Sequence, residues 1–593
     1  MSSIIFTLSE NRKNIYLRFD YFKPLIELIK SLGTCNWRDP WWVFRADNRT
    51  LLLVCNSLLG ANYTLTFEGE IQKLYDKALK WEEQWIEQIQ RIEEIKRNGH
   101  LINVDFSSFL KIQPYDFQKA GFAFLQERNG CAIVADEMGL GKSMQALAYT
   151  AYNKLTTLVI CPASLKENWR CEIEKFTWKS CYIPVSGVDL PKEHFDYLII
   201  NYEMLVSKKK PKDGRKKSTL EQLLALVKKE KINCVVCDEA HRIKNPTAKA
   251  TKVIHKEFKK IPHRILLTGT PIKSRPIEYF SLLKFIDPIR WNNRSEYAMR
   301  YCGATKTRWG YDFSGASNLQ ELYKETTPYV IRREKSEVLK ELPDKIYTTV
   351  PILFDEQQQK QYEKLEDDFV NTLELEEDAQ SDEEIKEVRK KNMSSLSKVH
   401  ALRMYTSDLK IKYAIELIES IIEAGQKVIV FSQYLKIIAA LHKHFGEKSV
   451  TLTGSLSGQQ RQENVIRFQT HESCKVFIGS IGAAGVGITL VASSTVIFLD
   501  LPWTSGDFDQ CSDRAHRIGQ KNAVSIITLS CENSIDERVR NLLAEKRVIL
   551  NQVLNGRQGD DRIESSNIYK DLLLGYLGDK KRKKRAKTVA VSV

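Results

Sequence analysis

The chain has 593 residues, 42% hydrophobic content and a formal net charge of +15. That length is too great for a single core, so three or more domains are expected. No apolar run of roughly eighteen residues occurs, which excludes a membrane-spanning helix, and the N-terminus lacks the order of a secretory signal. The surplus of basic residues favours a polyanionic partner. The twelve cysteines are scattered. Cys234 and Cys237 are the close pair, but their strand spacing turns them to opposite faces, so reduced thiols without structural zinc are expected.

Residues 1–105 read as a small α+β accessory domain. Strand-like runs occur at Ile4–Leu8, Ile15–Phe19, Leu51–Cys55 and Tyr63–Phe67. A helical pattern follows from Glu70 to Arg97, with Trp81, Trp85, Ile89 and Ile92 on one face. Trp37, Trp41 and Trp42 lie near Arg38 and Arg45. Such aromatics and arginines either touch nucleic acid or fill a small core while the helix packs on a neighbouring lobe. The second reading is preferred.

Residues 106–290 read as a first parallel-sheet lobe. Gln118 follows Pro114-Tyr115-Asp116-Phe117 ahead of a glycine loop, where an amide can read the adenine edge. The apolar strand Cys131–Val134 leads into Ala135-Asp136-Glu137-Met138-Gly139-Leu140-Gly141-Lys142-Ser143, and a helix-like run starts at Met144. Strand, glycine loop and helix form the setting of a phosphate-binding loop. Gly139 and Gly141 admit positive φ, and amides at a helix N-terminus favour an anion. Lys142 can reach the β- and γ-phosphates of ATP, and the Ser143 hydroxyl can join a magnesium ion. Asp136 stands where the usual pattern has glycine. A second strand ends in Asp238-Glu239-Ala240-His241. There Asp238 suits magnesium and Glu239 suits polarisation of the attacking water. Further strands at Leu158–Cys161, Leu198–Ile200 and Ile265–Leu267 alternate with helices, which implies a parallel sheet with active loops at its C-terminal edge. A basic insert, Lys208–Lys210 with Arg215–Lys217, tracks phosphates or is a solvated loop.

Residues 291–412 read as helical insertions and linker, aromatic and basic at first and then acidic around Glu374–Glu384. Residues 413–548 read as a second lobe. Its strands are Lys427–Phe431, Val450–Leu452, Lys475–Ile478 and Val496–Leu499, with a second glycine-rich bend at Gly479–Gly487 that lacks the lysine a nucleotide needs. Arg514 and Arg517 fall on one side if their segment is a helical turn. Planar, permanently charged groups suit a γ-phosphate shared across a cleft. Residues 549–593 read as a helical and then basic tail. Its Lys580–Arg585 run suits a nuclear signal, a DNA-binding tail or a charged end.

The ordered set resembles the Swi/Snf family of superfamily-two helicase-like ATPases. It comprises the Gln118 segment, DEMGLGKS, CPASLKENW, NYE at Asn201, DEAH with Lys244-Asn245, LLTGTP, VIVFSQY, GAAGVGITL and QCSDRAHRIGQ, from Lys111 to Arg547. The short insert and modest N-terminal module look closer to the annealing-helicase, fork-remodelling branch than to the nucleosome-remodelling branch. The resemblance implies two tandem RecA-like lobes, an ATP and magnesium site, and a DNA-dependent ATPase. Gln118 would read adenine. The segment from Asp136 to Ser143, together with Gly485 and Gln510, would line the nucleotide site. Arg514 and Arg517 would be arginine fingers, Gln510 would help join the lobes, and the Ser164 and Gly269 loops would face DNA. The expected partner is double-stranded DNA, engaged by a monomer without a membrane, in the nucleus of a eukaryotic host and otherwise in the cytoplasm. The competing readings are a strand-separating DNA or RNA helicase, a nucleoprotein remodeller, and a non-enzymatic ATP-dependent clamp or scaffold.

Overall fold

The computed structural model describes residues 3–32, 35–184, 194–206, 219–272, 275–307, 310–378, 394–484, 487–555, 562–563, 572–573 and 575–576. The basic insert at Lys208–Lys217, Gly485, the acidic residues Asp382–Glu384 and the Lys580–Arg585 run lie outside them.

The N-terminal module holds a five-stranded sheet of β1 (Ile4–Leu8), β2 (Asn14–Arg18), β3 (Asn36–Arg38), β4 (Trp41–Arg45) and β5 (Leu65–Phe67), in the order β3-β4-β2-β1-β5. One face packs Ile4, Phe6, Ile15, Leu17, Trp42 and Phe44 into a core. The Leu51–Cys55 segment, expected as a strand, lies inside the helix Asn48–Gly60. Asp47 caps that helix by accepting from the Thr50 amide at 3.0 Å. Leu51, Val54, Cys55 and Leu58 are its buried stripe, and that spacing is the helical period. The continuous apolar run masked that period.

The long helix Ile71–Asn98 leaves this module and docks on the first lobe, placing Trp85 in one of that lobe's cores and Ile92 in the other. The Arg290 guanidinium lies 4.7 Å from the Trp81 ring and 4.0 Å from the Trp85 ring. It also pairs with Glu325 at 2.8 Å. A desolvated cation over aromatic faces adds about 2 kcal/mol. The tryptophans of this helix therefore serve packing, as preferred from sequence.

The first lobe is a seven-stranded sheet, parallel throughout, in the order β15-β6-β11-β10-β7-β9-β8. Its strands are β6 (Cys131–Val134), β7 (Thr157–Cys161), β8 (Cys181–Tyr182), β9 (Tyr197–Asn201), β10 (Cys234–Asp238) and β11 (His263–Leu267). Three short strands follow, β12 (Thr305–Thr307), β13 (Gly310–Asp312) and β14 (Ala316–Ser317), and then β15 (Val330–Ile331), the edge strand beside β6. Cys234 and Cys237 face the two opposite cores of this lobe.

The second lobe is a six-stranded parallel sheet in the order β16-β21-β20-β17-β19-β18. Its strands are β16 (Lys345–Ile352), β17 (Val428–Ser432), β18 (Ser449–Leu452), β19 (Val476–Ser480), β20 (Thr495–Phe498) and β21 (Val524–Cys531). The interval 291–412, expected as insertions and linker, thus gives an edge strand to each sheet. The first lobe extends past residue 290 through β15, and the second lobe begins at β16. Both edge strands are displaced in sequence from the rest of their sheets, so alternation of strands and helices does not reveal them. The structure bears out the expected fold class: two tandem RecA-like parallel-sheet lobes with helical insertions and a small N-terminal α+β domain.

Candidate active site between the two lobes

The phosphate loop leaves the C-terminal end of β6 and enters the helix Lys142–Tyr152. Gly139 and Gly141 have φ of +90° and +71°, in the left-handed region that side chains strain to adopt. Space is also closed there. A Cβ built on Gly141 would stand 2.4 Å from Gln118 Nε2, and one on Gly139 would stand 3.3 Å from Arg517 Cγ. Lys142 folds back to donate to the backbone oxygen of Asp136 at 2.9 Å. Burial depresses its pKa, so an arriving anion would be favoured there. Leu140 is buried; its carbonyl accepts from Gln118 Nε2 at 3.3 Å. The Gln118 Oε1 meanwhile accepts from the Tyr115 amide at 3.0 Å. Gln118 thus stands beside the loop, as expected, but both ends of its amide brace protein backbone.

Asp136 and Glu137 depart from the expected nucleotide contacts. Asp136 is fully buried and paired with Arg333, whose Nε donates to its Oδ1 at 3.0 Å. Gln145 Nε2 donates to Asp136 Oδ2 at 2.8 Å, and Arg333 also reaches Gln145 Oε1 at 2.9 Å and the Phe117 carbonyl. This is why a carboxylate replaces the usual glycine. It locks the loop to the segment that follows β15. Glu137 turns toward lysines, accepting from the Lys335 amide at 2.7 Å and from Lys345 Nζ at 3.4 Å.

Removing one partner of a buried ion pair leaves an uncompensated charge and costs about 3–5 kcal/mol. Arg333→Met is therefore expected to lower the midpoint of first-lobe unfolding in urea by an amount of that order. The double variant Arg333→Met/Asp136→Asn should recover much of it. An unchanged midpoint in the single variant would contradict the pairing.

Opposite the loop, β10 ends at Asp238 and Glu239 follows it. Asp238 Oδ2 accepts from Trp169 Nε1 at 2.8 Å, and its Oδ1 accepts from the Glu239 amide at 2.9 Å. Burial and then Glu239 push its pKa above the usual carboxylate range. Glu239 lies at φ +50°, and its Oε2 is 3.2 Å from His241 Nδ1. Burial opposes its ionisation, but His241, Lys142 and Arg514 together hold the carboxyl well below the usual range. The half-buried Asp238, the buried Glu239 and the Ser143 hydroxyl, which bonds Glu172, are hard oxygen donors in a site that gains from a cation. The residues therefore fit magnesium, with Asp238 and Ser143 as the holders, where the ion would neutralise phosphate charge.

The second lobe closes this site. Gln510 Nε2 donates to Glu239 Oε1 at 3.3 Å. Arg514, 1% exposed, places Nη2 3.9 Å from Met138 Sδ, and Arg517 lies against Gly139. Both arginines stand in the turn after the helix Ser505–Ser512. Burial, and for Arg517 the neighbouring Arg514 as well, depresses both guanidinium pKa values. Lys142, Arg514 and Arg517 thus converge as three desolvated cations on one small volume, and a polyphosphate would relieve all three. Three further contacts fix the closure. Asp513 takes Lys335, from the segment after β15, at 2.9 Å, and is held within its own lobe by Lys345 at 2.6 Å. Gly487 approaches Leu165 so closely that a Cβ would stand 2.1 Å from it, and a Cβ on Gly506 would stand 3.0 Å from Thr270.

Sequence reasoning missed Arg333, Lys335, Lys345, Asp513 and the partner role of Trp169. The signal available was the Arg332-Arg333-Glu334-Lys335 run directly after an apolar strand.

The chain is similar in sequence to known proteins over most of its length. The SNF2-related domain family matches residues 115–410, and the helicase conserved C-terminal domain matches residues 409–519. A Caenorhabditis elegans protein named SWI/SNF-related matrix-associated actin-dependent regulator of chromatin subfamily A-like protein 1 homolog is 31% identical, over 74% of this chain and 61% of its own. The mouse DNA annealing helicase and endonuclease ZRANB3 is 31% identical over 76% of this chain and 41% of its own. The chain thus spans about half the length of these curated relatives. The Sulfolobus solfataricus SWI2/SNF2 ATPase core in complex with dsDNA aligns over 75% of this chain and 94% of that one, at 26% identity and a TM-score of 0.34.

Proposed function

The chain belongs to the SNF2-related family, and on that premise we propose that it is a DNA-dependent ATPase that couples lobe closure to movement along double-stranded DNA. The observation that carries the reading is the seating of Gln510 and Arg514 of one lobe on Glu239 and Met138 of the other. Hydrolysis then requires closure, because the water-polarising carboxylate and the charge-stabilising guanidiniums come from different lobes. Closing and reopening once per ATP is a two-state domain motion, and such a motion can shift one lobe along a phosphate backbone. ATP would be held as its magnesium complex by Lys142, Ser143 and Asp238. One chain supplies both halves of the site, which supports a monomeric motor.

The fork-remodelling or strand-annealing reading is supported by the DNA annealing helicase among the relatives and by the short insert between the lobes. An ATP-dependent triplex-displacement assay tests the proposal. A motor on duplex DNA displaces the third strand without separating the duplex beneath it. Separation of a forked duplex with no triplex displacement would instead establish a strand-separating helicase.

A further inference from the structure

A cleft of about 970 Å³ lies where the N-terminal module meets the first lobe. Four of its cations, Arg12, Lys13, Arg38 and Arg45, come from the N-terminal module, and two, Lys284 and Arg294, come from the first lobe. Its single carboxylate, Asp47, already accepts from the Thr50 amide and hydroxyl as a helix cap. The two walls are joined directly, with Arg45 Nη1 donating to Asn292 Oδ1 at 3.1 Å. A second cleft of about 530 Å³ continues from the first, sharing Lys284, Asn292 and Arg294. It adds Lys252, Lys256 and Lys259, and no carboxylate lines it among the described residues.

The result is one continuous track carrying nine cations. Arg12 pairs with Glu70 at 2.5 Å and Lys256 with Glu257 at 3.4 Å, both largely in solvent. Among the described residues the other seven have no carboxylate within ion-pair distance. Like charges crowded along a groove repel one another, and this arrangement costs stability unless a polyanion occupies it.

The track is separate from the site between the lobes. Lys252–Lys259 immediately precede β11, so they sit toward the edge of the sheet where its strands begin. The phosphate loop and Glu239 follow β6 and β10, at the opposite edge. The lining also says what is recognised. Successive residues of a strand face opposite sides. Asn36 and Arg38 of β3 therefore face the cleft, while Trp37 turns away and packs on Trp42 with ring centroids 5.5 Å apart. Phe44 and Phe280 also line the clefts but are buried and offer no ring face to a base, so the lysines and arginines here contact phosphates rather than bases.

We propose that this track, formed jointly by the N-terminal sheet and the outer face of the first lobe, binds the phosphodiester backbone of DNA outside the cleft between the lobes. It deepens the DNA reading above and rests on it only for the identity of the polyanion. Residues 1–105 are then part of a second DNA-binding surface, through their arginines and lysines rather than their tryptophans.

The test measures binding without ATP, by fluorescence anisotropy across a salt titration. It uses the full chain with a labelled duplex and, separately, a labelled single strand of equal length. The charge-reversal variant Arg45→Glu/Lys284→Glu/Arg294→Glu is compared with the neutral Arg45→Gln/Lys284→Gln/Arg294→Gln, whose glutamine at position 45 can still reach Asn292. Each lost phosphate contact on duplex lowers the slope of log affinity against log salt by about 0.9, so three lost contacts should lower it by about 2–3. At fixed low salt the charge-reversal variant should bind at least tenfold more weakly, and the neutral variant should fall between it and wild type. ATP hydrolysis without DNA should be unchanged in both, which confirms folding. Loss confined to the duplex, or to the single strand, supports the track and identifies its occupant. Wild-type affinity and slope on both DNAs, in either variant, would overturn it. Weakened binding in the variants together with no DNA-stimulated hydrolysis by the wild-type chain would retain the track while losing the motor reading.

Discussion

Replacing Arg514 with alanine should lower DNA-stimulated ATP turnover by about 10³-fold or more, with little change in the affinity for ATP. A guanidinium delivered to the transferring phosphoryl group contributes about 10³–10⁵ to turnover in related chemistry. The structure gives Arg514 the place for that role. It is buried, it comes from the second lobe, and it reaches Met138 of the phosphate loop. Its charge is desolvated, so its interaction with a phosphate oxygen is strong when that oxygen gains charge in the transition state. Arg514→Lys keeps the charge and loses the planar fork, and should recover only part of the rate. Equilibrium binding of a fluorescent ATP analogue, set beside steady-state turnover, separates the two effects. Turnover within threefold of wild type would remove Arg514 from the site.

Glu239→Gln should cost about 10²–10⁴ in turnover, the range for loss of a positioned general base. Glutamine keeps the size and still offers an oxygen to Gln510 Nε2, which now donates to Glu239 Oε1 at 3.3 Å. Lobe closure is therefore retained and only proton acceptance is lost. His241, Lys142 and Arg514 keep the Glu239 carboxyl ionised in spite of its burial, so it is ready to orient and polarise water at neutral pH. The variant should bind ATP and DNA normally and accumulate in the closed state. Wild-type turnover in this variant would reassign the base.

Both residues were legible in the sequence because their segments are short and continuous. A glycine loop between a strand and a helix, an apolar strand ending in two carboxylates, and a paired-arginine segment each carry their chemistry within a few neighbouring residues. The residues that escaped notice act across long stretches of chain. Asp136 looked like a deviation in a phosphate loop until Arg333 was seen beside it. Asp513 draws Lys335 and Lys345, from far back in the chain, to the turn that carries the two arginines. No periodicity or spacing encodes such a pairing. The Leu51–Cys55 error has a different origin. A short apolar run fits strand and helix alike, and the Asp47 cap together with the Leu51, Val54, Cys55 and Leu58 stripe decided it. The arginines of the N-terminal module acquire a functional reading only once the fold sets them opposite Lys284 and Arg294.

The central claim is that closure of these two lobes is driven by ATP and by duplex DNA together. Its most direct test is the rate of ATP hydrolysis by the full chain with no nucleic acid, duplex DNA, forked DNA, single-stranded DNA and RNA, at one salt concentration. Strong stimulation by duplex DNA is predicted, with forks at least as effective. Stimulation by single strands or RNA alone, with none by duplex, would contradict it.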